Sequence, residues 1–243
     1  MGATVCQAVQ EAPDLELVAA VDPFVRSSTA AGTEIAPDAS ALEAAGAEVA
    51  VDFTVVDAAR ENLRWCAAHG VHAVVGTTGF GEGELAELGT LFAQSRANAV
   101  VASNFAIGAV LLMRFAELAA PHFDSVEIIE MHHESKIDAP SGTAITTAQR
   151  IAAASKDWLD DPTEKVVAEG ARGAVVDGIP VHALRVRGMV ASQEVLFGTT
   201  GQSLSIRHDT YERTSFMPGV LLAIRKVAET PGLTLGLDGL LGS

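Results

Sequence analysis

The sequence predicts an α/β protein: a parallel sheet covered by helices on both faces, interrupted by a smaller α+β insertion with a mixed or antiparallel sheet. Three observations predict it. In the first two-fifths of the chain, short apolar runs without polar alternation are each followed by a helical stretch, as expected of strands buried on both faces. Near residue 107 that alternation gives way to a helix, a strand, a helix and three closely spaced strand-like runs. The composition agrees, since 243 residues at 49% hydrophobic, 5% aromatic and 22 Gly are ordinary for such a protein and enough for a sizeable core.

Gly2–Glu11 reads as a helix, Leu15–Val21 as an apolar strand ending at Asp22, and Ala41–Ala45 as a short helix. Glu48–Phe53 is a buried-type strand. Ala58–His69 is a helix with Leu63, Cys66 and Ala67 on one face. His72–Val75, Gly81–Arg96 and Ala99–Ala102 follow as strand, helix and strand. Ligands of parallel sheets sit beyond the carboxyl ends of the strands, which makes Asp22, Thr54, Gly76-Thr77-Thr78 and Ser103-Asn104 cleft candidates. Ala106–Leu118 is then helical, Ser125–Met131 a strand and Ser141–Ala154 a helix. Val181–Val186, Gln193–Phe197 and Leu204–Arg207, separated by Arg187-Gly188 and Thr199-Thr200-Gly201-Gln202, read as an antiparallel meander. Ser155–Lys165 and Val175–Pro180 read as loops, and Thr214–Glu229 as an amphipathic helix that packs back on the first domain.

The formal net charge of −15 argues against a nucleic-acid partner and against an anionic membrane surface. The longest apolar runs are shorter than the ~20 residues of a bilayer span, and the N-terminus lacks a signal-peptide pattern. A soluble, cytoplasmic protein is expected. Cys6 and Cys66 show no metal spacing and read as buried thiols in a reducing compartment.

A Rossmann-like dinucleotide fold opens with a strand and a glycine-rich turn leading into the first helix. Here Met1-Gly2 stands at the head of a helix, and Asp22 falls about 20 residues on, where the ribose-binding acid belongs. Met1-Gly2 therefore reads as the tail of a glycine motif whose front and first strand are absent, with an internal methionine taken as the start. The expected boundaries are a dinucleotide-binding domain over 1–106 plus 215–243, and a substrate-binding and oligomerisation domain over 107–214.

The densest polar segment is EMHHESKIDAPSGTA, residues 130–144, running from a strand end to a helix start. Pro140-Ser141-Gly142-Thr143 reads as a helix entry whose Gly142 and Thr143 amides point outward at the N-terminus, an anion site beside which Lys136 adds a full charge. Imidazole suits proton transfer near neutral pH. Since neighbouring strand residues face opposite ways, His132 and His133 divide their roles: one donates a proton while the other contacts substrate or packs. Zinc is disfavoured because no third ligand has suitable spacing. Asp138 reads as fixing the turn before Pro140.

Taken with GTTGF at 76–80, ASNFAIGAV at 102–110, QEVLFG at 193–198 and IRHD at 206–209, this segment resembles the dihydrodipicolinate reductases of lysine and diaminopimelate biosynthesis. The resemblance runs over nearly the whole chain and is strongest to actinobacterial members. It implies reduction of 4-hydroxy-tetrahydrodipicolinate by NADH or NADPH with loss of water, in a homotetramer joined through the sheet around Val190–Arg207. By the same resemblance His132 and Lys136 are the proton donors, His133 contacts substrate, and Gly142-Thr143 hold a substrate carboxylate. Met1, Gly2, Asp22, Gly76, Thr77, Thr78, Ala102, Ser103, Asn104 and Phe105 line the cofactor. Pro23 stands where some members carry an arginine for the 2′-phosphate, so NADH should serve at least as well as NADPH. Competing readings are another nicotinamide oxidoreductase of the same two-domain plan, or a cofactor-deficient paralogue acting as a binding protein.

Overall fold

Residues 1–25 and 28–242 are described in the computed structural model. The chain divides into two units, Met1–Ala106 with Phe216–Ser243, and Ile107–Ser215. The first unit contains α1 (Gly2–Glu11), β1 (Ala20–Val21), β2 (Thr29–Ala30), β3 (Thr33–Ala36), α2 (Ser40–Ala44), β4 (Val49–Asp52), α3 (Val56–His69), β5 (His72–Val75), α4 (Glu82–Ala93) and β6 (Ala99–Val101). The second contains α5 (Ile107–Ala119), β7 (Ser125–His132), α6 (Gly142–Ala154), β8 (Ala174–Val176), β9 (Ile179–Arg185), β10 (Ala191–Thr199) and β11 (Gln202–Thr210). The chain returns to the first unit in α7 (Met217–Val227) and β12 (Leu233–Leu235).

In the first unit β12, β6, β5 and β4 lie side by side, all parallel. Leu63 and Cys66 of α3 and Leu88 and Phe92 of α4 pack with Ala73 and Val75 of β5 in one buried cluster; each large side chain so removed from water contributes about 1.5–3 kcal/mol. Helix α3 stops at Gly70, whose φ of 74° and amide bond to the Cys66 carbonyl form a left-handed cap that other residues adopt only with strain. Helix α4 starts where the Glu84 carboxylate reaches back to the Gly81 amide at 2.8 Å. A smaller sheet, β1-β3-β2, pairs β1 parallel and β2 antiparallel to β3. The apolar run from Leu15 yields only a two-residue strand, because Ala20 and Val21 alone find ladder partners, Ile35 and Ala36. The β2–β3 hairpin and β12 were not anticipated by the sequence pattern.

The second unit is built on a five-stranded mixed sheet in the order β11-β10-β7-β9-β8. This corrects the meander expected for the last three runs. Strands β10 and β11 do form a hairpin, but β7 lies between β10 and β9, antiparallel to the first and parallel to the second. The stretch expected as a loop at Val175–Pro180 is also corrected. It is the turn of the β8–β9 hairpin, made by Asp177 (φ 48°) and Gly178 (φ 86°), the pair of positive φ values that a two-residue hairpin of matching twist requires. Helix α6 packs on β7 and β9 and beside α5. Residues 155–165 carry no helix or strand.

Among the described residues no helix is long and apolar enough to cross a membrane. Both cysteines are free, Cys66 buried and Cys6 only half-buried, a correction to the expectation for Cys6. Burial, assisted by the charge of Asp52, pushes the Cys66 thiol up to about 12.

Candidate active site

In the second unit the sequence-selected residues gather at the carboxyl end of β7 and the start of α6. Along β7 the inward register is Val126, Ile128, Glu130, so an acid occupies a position that the alternation reserves for core. Glu130 is fully buried and makes four contacts. Its Oε2 lies 2.5 Å from His132 Nδ1. Arg185 of β9 grips it with both terminal nitrogens, at 3.0 and 2.9 Å. Its Oε1 accepts the Ser141 backbone N–H at 3.1 Å. Burial raises the Glu130 carboxyl, but the His132 hydrogen bond and the Arg185 guanidinium outweigh it and leave the group below its ordinary range.

Ser141 in turn caps α6, its Oγ accepting the Ala144 N–H at 3.2 Å, the side-chain cap that stabilises a helix start by about 1 kcal/mol. Gly142, exposed, and Thr143, half-buried, stand at that start. Thr147 Oγ1 donates to the Thr143 carbonyl at 2.7 Å and accepts from Gln193 at 2.7 Å, which holds the first turn of α6 to β10. Lys136 Nζ is gripped by both oxygens of Asp138, at 2.7 and 2.8 Å, while the Asp138 carbonyl accepts from Arg185 at 2.6 Å. Asp138 thus orients the ammonium and does more than shape the turn before Pro140. His133 is exposed just beyond the end of β7; its carbonyl accepts the Lys136 N–H at 3.2 Å. His132, the Ser141 cap and the Lys136 loop are therefore tied through Glu130 and Arg185, whose roles the sequence reading missed. Arg207 pairs with Glu194 and Asp209 on β10 and β11; His208 lies against Gly108, where an added Cβ would meet its ring at 2.4 Å. Among the described residues no group of three or more His, Cys, Asp or Glu side chains could hold a metal ion.

In the first unit the cofactor candidates sit after the carboxyl ends of the parallel strands. Asp52, buried at the end of β4, accepts from the Thr54 amide and hydroxyl at 2.7 Å each and from Asn62 at 2.7 Å. Thr77, buried after β5, donates to the Thr54 carbonyl at 3.0 Å, so Asp52 and Thr54 join the two loops. A Cβ on Gly76 would fall 2.0 Å from the Phe53 ring, so a side chain there would force the ring or the loop to shift; Thr78 is exposed beyond it. Phe53 packs on Phe105 with ring centroids 5.6 Å apart. Ala102, Ser103 and Asn104 follow β6, with Ala102 buried, Ser103 exposed and the Asn104 side chain accepting the Ala106 N–H at 2.8 Å. Met1 precedes α1 without a side-chain cap and Gly2 is exposed, a helix start whose amides and dipole suit a pyrophosphate. Asp22, directly after β1, accepts the Phe24 amide on one carboxylate oxygen at 2.9 Å. This donor set, apolar near Phe53 and Phe105 and rich in backbone amides at α1, fits a dinucleotide.

The family models for dihydrodipicolinate reductase match nearly the whole chain, the N-terminal one over residues 1–105 and the C-terminal one over 108–241. The chain belongs to the dihydrodipicolinate reductase family. The 4-hydroxy-tetrahydrodipicolinate reductase of Cutibacterium acnes is 51% identical, with 100% of this chain and 94% of the relative covered. That of Streptomyces griseus is 49% identical over 98% of this chain and 92% of its own. Among solved structures, a dipicolinate-bound dihydrodipicolinate reductase from Paenisporosarcina sp. TG-14 is 40% identical, with a TM-score of 0.87 over 97% of this chain and 93% of that one. An amine dehydrogenase from Mycobacterium smegmatis shares the fold, with a TM-score of 0.64 at 14% identity over 96% of this chain and 92% of its own.

Proposed function

We propose that this chain reduces 4-hydroxy-tetrahydrodipicolinate to tetrahydrodipicolinate with NADH or NADPH, the first unit holding the cofactor and the second the substrate. Family membership along the whole chain carries this reading over another nicotinamide oxidoreductase or a cofactor-deficient binding protein. One hydride and one proton enter the substrate, and its hydroxyl leaves as water. The bound nicotinamide supplies the hydride; the protein must orient the partners and manage protons. Gly2 and the start of α1 hold the pyrophosphate and Asp22 the ribose, while Gly76-Thr77-Thr78 and Ala102–Phe105 line the nicotinamide. The Gly142 and Thr143 amides and the Lys136 ammonium bind a substrate carboxylate, a demand matched by the pyridine dicarboxylate carried by the Paenisporosarcina relative. His132 gives its proton to the developing ring anion, Lys136 assists departure of the hydroxyl, and His133 touches the substrate.

The β10–β11 hairpin supports a homotetramer. Strand β11 is an edge strand of nine residues, exposed over most of its length, and native proteins leave long edges of this kind open only rarely. Two free thiols suit the cytoplasm. The test is the absorbance of NADH and of NADPH in the presence of enzymatically generated substrate. Cofactor oxidation that requires that substrate supports the proposal. Substrate-independent oxidation, or none with either cofactor, refutes it. Light scattering of the eluted protein checks the tetramer.

A further inference from the structure

We infer that Glu130 is the positioning residue of the proton-transfer site, holding the His132 ring in one tautomer and locking it to the carboxylate-binding start of α6. The inference rests on the reading of His132 as a proton donor. A salt bridge would be complete with Arg185 alone, which already engages both carboxylate oxygens. The added bond to His132 Nδ1 at 2.5 Å serves the imidazole. An ionised carboxylate only accepts hydrogen bonds, so Nδ1 must carry the hydrogen. The neutral ring then has Nε2 as its free base and the cation has Nε2–H as its proton to give, the logic of a histidine oriented by a carboxylate.

The same carboxylate accepts the amide of Ser141, the residue whose hydroxyl caps α6. Arg185 extends the clamp to the Asp138 carbonyl, next to the carboxylate that holds Lys136. Glu130 thus sets the distance between the proton on His132 and the amides of Gly142 and Thr143. A substrate anchored by its carboxylate at those amides meets the imidazole at a fixed place. Loss of the carboxylate should therefore slow turnover more than it weakens binding.

The test compares Glu130→Gln, His132→Ala and the double variant. Glu130→Gln is expected to lower kcat by about 10- to 100-fold, the usual cost of losing a group that orients a histidine, with KM within about threefold. In the His132→Ala background the same substitution should cost less than about twofold, because coupled residues are not additive. An equal loss in both backgrounds overturns the inference and leaves Glu130 a purely structural residue. Unchanged kcat in His132→Ala alone instead refutes the reading of His132, so the two failures are distinguishable. Should Glu130→Gln not fold, nitrogen-15 NMR of the unsubstituted enzyme decides, with the His132 signal assigned by its loss in His132→Gln. A proton on Nδ1 supports the inference, and a neutral ring protonated only on Nε2 overturns it.

Discussion

Gly76→Ala tests how the first unit shapes its loops. The substitution adds a single methyl group, yet its Cβ would sit 2.0, 2.5 and 2.6 Å from three carbons of the Phe53 ring. All three lie inside contact distance, and Phe53 cannot swing freely because it packs on buried Phe105. Overpacking of this kind costs about 1–3 kcal/mol, and disturbing the ring pair adds about 0.5–1.5 kcal/mol. A loss near 2 kcal/mol corresponds to a melting temperature lower by about 4–8 °C for a chain of this size. If the loop shifts instead of the ring, the strain appears in cofactor binding, where about 1.4 kcal/mol is a tenfold change. Thermal unfolding and an NADH fluorescence titration measure both. Gly2→Ala is the control: its Cβ meets nothing within 4 Å, so it should not destabilise the protein. Gly76→Ala with unchanged melting temperature and unchanged affinity would refute the argument.

His132→Ala should lower kcat far more than it raises KM, whereas Lys136→Ala should raise KM as well; steady-state kinetics separates the two. Ser141→Ala removes the cap of α6 and should destabilise the protein by about 1 kcal/mol, read by denaturant unfolding. Cys66, its thiol held up to about 12 by burial and the Asp52 charge, should resist alkylation in the native protein at pH 8 and react once unfolded, as mass spectrometry of the labelled peptide would show. Asp161 is held down to about 2 by hydrogen bonds from Thr163 and then Arg172. A depressed carboxyl stabilises the fold above its unfolded value and loses that contribution as pH falls through its folded one. Asp161→Asn should therefore flatten the acid limb of stability between pH ~4 and ~2, measured by melting temperature against pH.

The elements legible in the sequence were those whose burial pattern is local. His72–Val75 reads as a strand because its apolar run is unbroken, and the face of α3 reads correctly because Leu63 and Cys66 recur at helical spacing. Strand order is a different matter. Nothing local in Val181–Val186 says that its neighbour is β7 and not β10, since pairing depends on contacts distant in sequence. The hairpin at Asp177-Gly178 was legible in principle, because Asp-Gly is a turn signal, but the following Pro180 disguised it. At the active site the helix start and the adjacent histidines were visible as motifs. Glu130 was also in view, and an acid at the inward position of Ser125–Met131 was the overlooked sign of a buried ion cluster. Arg185 had no such sign, because its partner is 55 residues away.

That interval bears on how the second unit acquires its site during synthesis. The ribosome delivers Glu130 well before Arg185, and β7 cannot gain its parallel neighbour until β9 has emerged. Pairings between distant segments form slowly, so the nascent hub stays without its guanidinium counter-charge until then. Competence for catalysis should consequently be a late event in maturation, arriving only when the guanidinium docks.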